Sequence, residues 1–232
     1  MSFDIIVSEL LGSFADNELA PECLAATVKM ARPSCVYIPQ SHTSFLYPVA
    51  APILRRLLQD EGTPTQTHCP WVLSARAVPI ADQGLSKHVV YKLLSSSVGA
   101  PVFSFSYAPT GITASPATEA TATVEFDPSN NAVDGFCGMF QAVLIDDICL
   151  STLPGHVTPG LNEWNPMFFP VGASEVSSEN PIRAQMRRVT LPAAAANQTT
   201  TVHYEWRLGE QAWRNAGGHA WVMGRASATS KE

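Results

Sequence analysis

The chain opens on an apolar, β-branched run, Phe3-Asp4-Ile5-Ile6-Val7-Ser8. It shows no apolar–polar alternation, which predicts a strand buried on both faces of a parallel sheet. Such a strand needs sheet neighbours on each side and helices above and below, so sheet partners upstream of it are expected. Gly12 through Pro21 reads as a loop, with Asp16-Asn17 supplying turn chemistry. Pro21-Glu22 ahead of Cys23 to Met30 predicts a helix with proline in its first turn, ended by Ala31-Arg32-Pro33. Val36-Tyr37-Ile38 predicts a second strand, stopped by Pro39.

Beyond Pro39 the texture changes to short strand-like runs separated by Pro, Gly, Asn and Ser. They are Val102 to Ser106, Ala122 to Phe126, Gly138 to Leu150, Met167 to Phe169, Thr201 to Leu208 and Ala220 to Met223. Several alternate apolar with polar residues, as half-buried antiparallel strands do. The 18 prolines exceed the average share of about 5% and favour turns over long helices. An antiparallel sandwich or barrel fits best, and a barrel is expected. A helical stretch over Ala51 to Asp60 interrupts it. Thr113 to Thr123 and Ala193 to Thr201, low in complexity, read as surface loops, and Ala226 to Glu232 as a frayed tail.

Composition narrows the function. Hydrophobic residues are 46% of the 232 and charged ones 15%, below the roughly 25% of ordinary soluble domains. A net charge of −6 without a basic stripe argues against nucleic acid and is compatible with basic, Arg-rich partners. The cysteines (Cys23, Cys35, Cys69, Cys137, Cys149) form no CxxC pair or Cys/His cluster, so no metal is expected. They point to a reducing compartment, cytoplasm or nucleus. The absence of an apolar run of about eighteen residues argues against a transmembrane helix.

The candidate chemistry lies at the first strand's end. Glu9 sits at the C-terminal edge of the predicted parallel strand, where open α/β sheets bind ligands. Glu18 follows across a turn that can fold back and bring the two carboxylates together. A carboxylate pair suits a guanidinium, whose fork of N–H donors binds two acids at once. The plainer alternative is that both are solvated loop acids. His42 and His203 invite assignment as general bases, yet neither lies in a Ser/His/Asp or metal-ligand pattern.

Val7-Ser8-Glu9-Leu10-Leu11-Gly12-Ser13-Phe14-Ala15-Asp16-Asn17-Glu18-Leu19, followed by Pro21-Glu22-Cys23-Leu24, resembles the double-glutamate loop of type II (symmetric-dimethylating) protein arginine methyltransferases. Ile38-Pro39, Thr43-Ser44-Phe45-Leu46, Pro48, Gly135-Phe136 to Phe140, Val143-Leu144, Asp147-Ile148, Leu150-Ser151, Pro159-Gly160, Trp164, Phe169-Pro170 and Tyr204-Glu205-Trp206 keep the family's order. The resemblance implies residues 1–39 as the truncated C-terminal edge of an α/β, Rossmann-like methyltransferase domain. Residues 40–232 would be a substrate-side antiparallel β-barrel, giving a mostly β chain.

It also implies methyl transfer from S-adenosylmethionine to an arginine guanidino nitrogen, with Glu9 and Glu18 as the catalytic clamp. Both reactants are cations, and two carboxylates offset their repulsion and orient the nitrogen. Trp164 and Ser8 are implied on the substrate side. Trp164 has a competing reading as a core tryptophan, and Glu163 stands where the family commonly has serine. No glycine-rich strand–loop–helix occurs, so no cofactor residue is assigned and the chain alone is expected to be inactive. The expected partners are arginine-containing protein substrates, an N-terminal half or partner chain supplying the cofactor site, and further copies of the chain. A non-catalytic arginine-binding barrel is the alternative.

Overall fold

A computed structural model describes residues 2–52, 54–55, 71–73, 91–94, 99–115, 118–124, 133–161, 164–171, 182–192, 200–218 and 222–224. The elements are β1 (Phe3–Val7), α1 (Ala20–Ala25), β2 (Ala31–Ile38), β3 (Ser41–Ala50), β4 (Trp71–Leu73), β5 (Lys92–Leu93), β6 (Ala100–Ala108) and β7 (Gly111–Ser115). They continue with β8 (Glu119–Val124), β9 (Gly135–Ile145), β10 (Ile148–Ser151), β11 (Met167–Pro170), β12 (Ile182–Leu191), β13 (Thr201–Leu208) and β14 (Val222–Gly224).

β1 and β2 pair in parallel, Ile5 opposite Val36 and Val7 opposite Ile38. The parallel direction agrees with the sequence, but burial on both faces does not: Phe3, Ile5 and Val7 are exposed. An apolar run reports what a strand is suited to contact, and among the described residues only β2 pairs with it. The helix is shorter than expected. It starts at Ala20, with Pro21 in its first turn, ends at Ala25 and is followed by a single 3-10 turn, Val28–Met30. The expected helix over Ala51 to Asp60 shows its first turn, closed by Arg55 N–H donating to the Ala51 carbonyl at 2.9 Å; the rest lies outside the described residues.

The large sheet runs β14-β4-β11-β9-β3-β6-β7, with β10 on β9 and β5 on β3. Its axis is the β3–β9 pair, in antiparallel register from Ser41 opposite Val143 to Val49 opposite Gly135. A second sheet, β13-β12-β8, packs across it. Between the two lies the main core, in which Phe14, Phe103, Phe136, Phe169, Met186, Tyr204 and Trp206 are buried. The mostly β, antiparallel expectation is met, but the described strands form no closed barrel. Alternation of apolar residues determines which face of a strand turns inward. Closure depends on stagger and on which edges meet, which a local pattern does not encode.

Two local expectations also change. Thr113 to Thr123 is not a loop, because it holds the end of β7 and most of β8. Ala120, Ala122 and Val124 are buried while Glu119, Thr121 and Thr123 are exposed, a period-two pattern that small side chains conceal. β12, unforeseen in the sequence, is the central strand of the second sheet. Its inward row is Ala184, Met186 and Arg188, and an arginine in a core row hides the alternation. The segments 193–199 and 226–232 lie outside the described residues.

Candidate active site

Glu9 and Glu18 stand at the two ends of a loop whose middle is buried. Leu11, Phe14, Ala15, Asp16 and Asn17 are buried, whereas both glutamates are exposed. Hydrophobic anchoring of the middle thus turns the flanking acids toward solvent. The backbone closes tightly: Gly12 N–H donates to the Ala15 carbonyl at 3.0 Å, and Ala15 N–H returns a bond at 2.9 Å. Ala15 (φ 63°) and Leu19 (φ 65°) take left-handed conformations, uncommon for residues with a Cβ, and reverse the chain on either side of Asp16 to Glu18. Phe14 N–H donates to Asn17 Oδ1 at 2.7 Å. Gly12 leaves the room for this: a Cβ there would fall 2.2 Å from Asn17 Nδ2.

The sheets hold this plug in place. The Phe14 ring meets Phe169 and Tyr204 edge to face, with centroids 5.1 and 5.3 Å away. Ser44, on β3, donates its hydroxyl to the Phe14 carbonyl at 3.0 Å. Trp164 donates its indole N–H to the Leu11 carbonyl and meets Phe140 edge to face at 5.8 Å. The tryptophan therefore supports the loop stem two residues from Glu9. Ser8 donates its backbone N–H to the Ile38 carbonyl at 2.9 Å, carrying the β1–β2 pairing to the residue before Glu9.

Glu18 responds to its surroundings and to Glu9. Partial burial raises the Glu18 carboxyl above its ordinary value, and the negative charge of Glu9 raises it further. A cation bound between them relieves both effects, because it replaces lost solvation and screens the mutual repulsion. Glu18 also borders a cavity of about 350 Å³, with Asn17 and Leu19 on its own side and Leu191, Val202 and His203 from β12 and β13 on the other.

Arg188 escaped the sequence reading. Its Nε donates to the Asp16 carboxylate, and its two terminal nitrogens grip Glu22 Oε1 and Oε2 at 2.7 and 2.9 Å. The Thr190 hydroxyl accepts from the same guanidinium at 2.9 Å and donates to Glu22 at 3.2 Å. The partners respond differently. For Asp16 complete burial dominates and raises the carboxyl, against the lowering pull of Arg188. For Glu22 burial also raises, but the hydrogen bonds and charge of Arg188 outweigh it and hold the carboxyl below its ordinary value. Both acids in turn hold the guanidinium in its charged form, Glu22 through hydrogen bonds and charge and Asp16 through its charge. The sequence signal was faint: one charge at the inward position of the Ala184-x-Met186-x-Arg188 row.

The two histidines differ in place: His203 lines the cavity that Glu18 borders, whereas His42 is not placed as a general base. His42 is buried, and burial together with the Arg188 charge lowers its pKa to about 3. Its Nδ1 lies 3.1 Å from the Tyr107 hydroxyl. His203 is buried on β13, its Nε2 3.6 Å from Glu205 Oε1. Among the described residues, no group of three or more His, Cys, Asp or Glu side chains could hold a metal ion. No described helix is long and apolar enough to cross a membrane.

With this geometry in hand, comparison with known proteins gives a consistent picture. Residues 1–38 match the family described as PRMT5 arginine-N-methyltransferase, and residues 41–225 the PRMT5 oligomerisation domain. Protein arginine N-methyltransferase 5 of Oryza sativa subsp. indica is 31% identical over 208 residues, covering 88% of this chain and 29% of the relative. The protein of the same name from Drosophila melanogaster is 31% identical over 206 residues, covering 88% and 30%. The chain thus spans about three tenths of the length of the curated relatives it matches. Among solved structures, a chain of the Trypanosoma brucei PRMT1 enzyme-prozyme heterotetrameric complex with AdoHcy shares the fold. Its TM-score is 0.59 at 13% identity, over 89% of this chain and 63% of that one. On the extent of these matches, the chain belongs to the PRMT5 family of arginine N-methyltransferases.

Proposed function

We propose that this chain carries the arginine-binding side of a protein arginine N-methyltransferase that transfers methyl groups from S-adenosylmethionine, with symmetric dimethylarginine as the product. One observation carries the reading: Glu9 and Glu18 flank a buried plug and face solvent, and the charge of Glu9 adds to partial burial in raising the Glu18 carboxyl. In this role the two carboxylates grip the substrate guanidinium through charge-assisted hydrogen bonds, orient the reacting nitrogen, and one accepts the proton it loses. Trp164 and Ser8 lie on the substrate side. Trp164 acts by holding the Leu11 carbonyl, and Ser8 by anchoring the strand end that presents Glu9.

The parallel β1–β2 pair, with Phe3, Ile5 and Val7 exposed, supports reading residues 1–39 as the edge of a Rossmann-like catalytic domain and residues 40–232 as the substrate-side domain. The described residues do not fit the cofactor itself. Gly217 and Gly218, both at positive φ, form a turn after β13, and Gly218 packs against His203. No glycine-rich turn between a strand and a helix accompanies them among the described residues. We assign no cofactor contact to this chain and route no step through it; the cofactor half comes from further sequence or a partner chain. The match to an oligomerisation domain supports self-association. The free thiols of Cys23, Cys35, Cys137 and Cys149 support residence in cytoplasm or nucleus.

The test is methylation of an arginine peptide by the full-length enzyme carrying E9Q or E18Q. Each variant is expected to lose at least about a hundredfold in kcat/KM with an unchanged melting curve. Retention of activity within about tenfold in both variants would sink the proposal. Arginine-peptide binding that needs both acids, without turnover in the wild type, would establish instead a non-catalytic arginine-binding module.

A further inference from the structure

We propose that Arg188 is the positioning residue of the acidic loop: by holding Asp16 and Glu22 at once, it sets where Glu18 stands relative to Glu9. The role in catalysis rests on the function proposed above, whereas the positioning itself does not.

Glu18 lies between the two residues that Arg188 grips. On one side the guanidinium binds the Asp16 carboxylate through Nε and reaches the Asp16 carbonyl at 3.5 Å. On the other it binds both oxygens of Glu22, at 2.7 and 2.9 Å. One rigid, planar group therefore grasps the segment at both ends, and the short span between must carry Glu18 in a fixed direction. A planar fork can do this because its donors leave in set directions; an ammonium on a flexible stem can satisfy one direction at a time.

The anchor itself does not move with the loop. Arg188 lies on the central strand of the second sheet, opposite Tyr204, and its N–H donates to the Thr118 carbonyl at 2.8 Å. Its side chain is 5% exposed, and its guanidinium carbon stands 5.3 Å from the Phe105 ring centroid. Tyr204, its cross-strand neighbour, packs on Phe14 at the loop's centre. The second sheet thus reaches the acidic loop by two routes, an apolar one through Phe14 and an ionic one through Asp16 and Glu22. Only the ionic route brackets Glu18.

Hydrogen–deuterium exchange on the full chain separates this role from general stabilisation. In R188M the amides of residues 14–19 are expected to exchange about tenfold faster, and in R188K by less, while β3 and β9 keep their protection. R183K, an exposed position on the same strand, leaves all rates unchanged. Unaltered loop exchange in a folded R188M overturns the proposal. Should R188M fail to melt cooperatively, E22Q reads the same quantity with the Asp16 contact kept: about threefold faster exchange supports the role, and no change overturns it. In the methylation assay R188M is expected to lose about a hundredfold in kcat for an arginine peptide, with KM changing less. R188K recovers part of the loss. Equal losses in R188M and R188K through KM alone would overturn the positioning role in catalysis. A loosened loop in a protein whose wild type transfers no methyl group would sink the methyltransferase reading and leave the positioning intact.

Discussion

The ring of Phe14 occupies the space that a side chain on Gly138 would need. A Cβ at Gly138 would fall 2.5 Å from Phe14 Cδ2 and 2.7 Å from Phe169 Cε2. The acidic loop is thus seated on the large sheet through a hole that β9 leaves for it. Gly138→Ala is expected to push Phe14 outward and destabilise the fold by about 1–3 kcal/mol. Urea unfolding measures this, and an unchanged midpoint would mean that the ring can shift freely.

Trp164 has its indole N–H committed to the Leu11 carbonyl. In W164F the ring can still meet Phe140, but the carbonyl loses its donor, at a cost of about 1–3 kcal/mol if it stays buried. Denaturant unfolding of W164F checks the cost, and exchange at residues 9–15 locates it. A loss of stability spread evenly over the sheets would assign Trp164 to the general core.

His42 makes stability depend on pH. Its pKa falls from 6.5 to about 3, first through burial and then through the Arg188 charge. Tyr107 lies at its Nδ1 and Phe105 stacks beside it. The unfolded chain binds a proton in this window that the folded chain refuses. Stability is therefore full above pH 6.5 and is lost as pH falls toward 3, at roughly 1.4 kcal/mol per pH unit from this group. His42→Gln should flatten the slope by that amount in urea titrations. Parallel slopes for the two proteins would show that the ring protonates normally in the fold.

Glu18 offers the most direct reading of the acid pair. Its carboxyl is raised by burial and by Glu9, so cation binding should weaken with falling pH sooner than at an ordinary glutamate. E9Q removes one of the two causes and should lower the Glu18 pKa, followed by carboxyl carbon shifts in NMR. An unmoved titration in E9Q would make the two acids electrostatically independent and remove the main support for a clamp.

Much of the loop was legible in advance because its chemistry is local. The run from Ser8 to Leu19 resembles a known double-glutamate loop residue by residue, and the structure turns Glu9 and Glu18 outward together. Trp164 was named too, but its contact with the Leu11 carbonyl joins positions 153 residues apart, and no spacing rule reaches that far. Only the second half of β8 was read as strand, from Ala122 on; its first half was assigned to a loop because alanine and threonine alternate too weakly in polarity, although Ala120, Ala122 and Val124 face inward. Arg188 was overlooked for the opposite reason: a charge in a core row looks like a break in the strand until its partners are known.

The sequence by itself determined the strand-rich character of the chain, the parallel start, the acidic loop and the family. All of these rest on short-range patterns: β-branched runs, alternation, prolines and one long motif. Only the tertiary structure decided that the strands divide between separate sheets, that Gly138 leaves room for Phe14, and that Arg188 grips Asp16 and Glu22 on either side of Glu18. The physical reason is that burying a charge or opening a gap in a sheet is unfavourable alone. Either becomes favourable only when a distant segment supplies the matching carboxylate or ring.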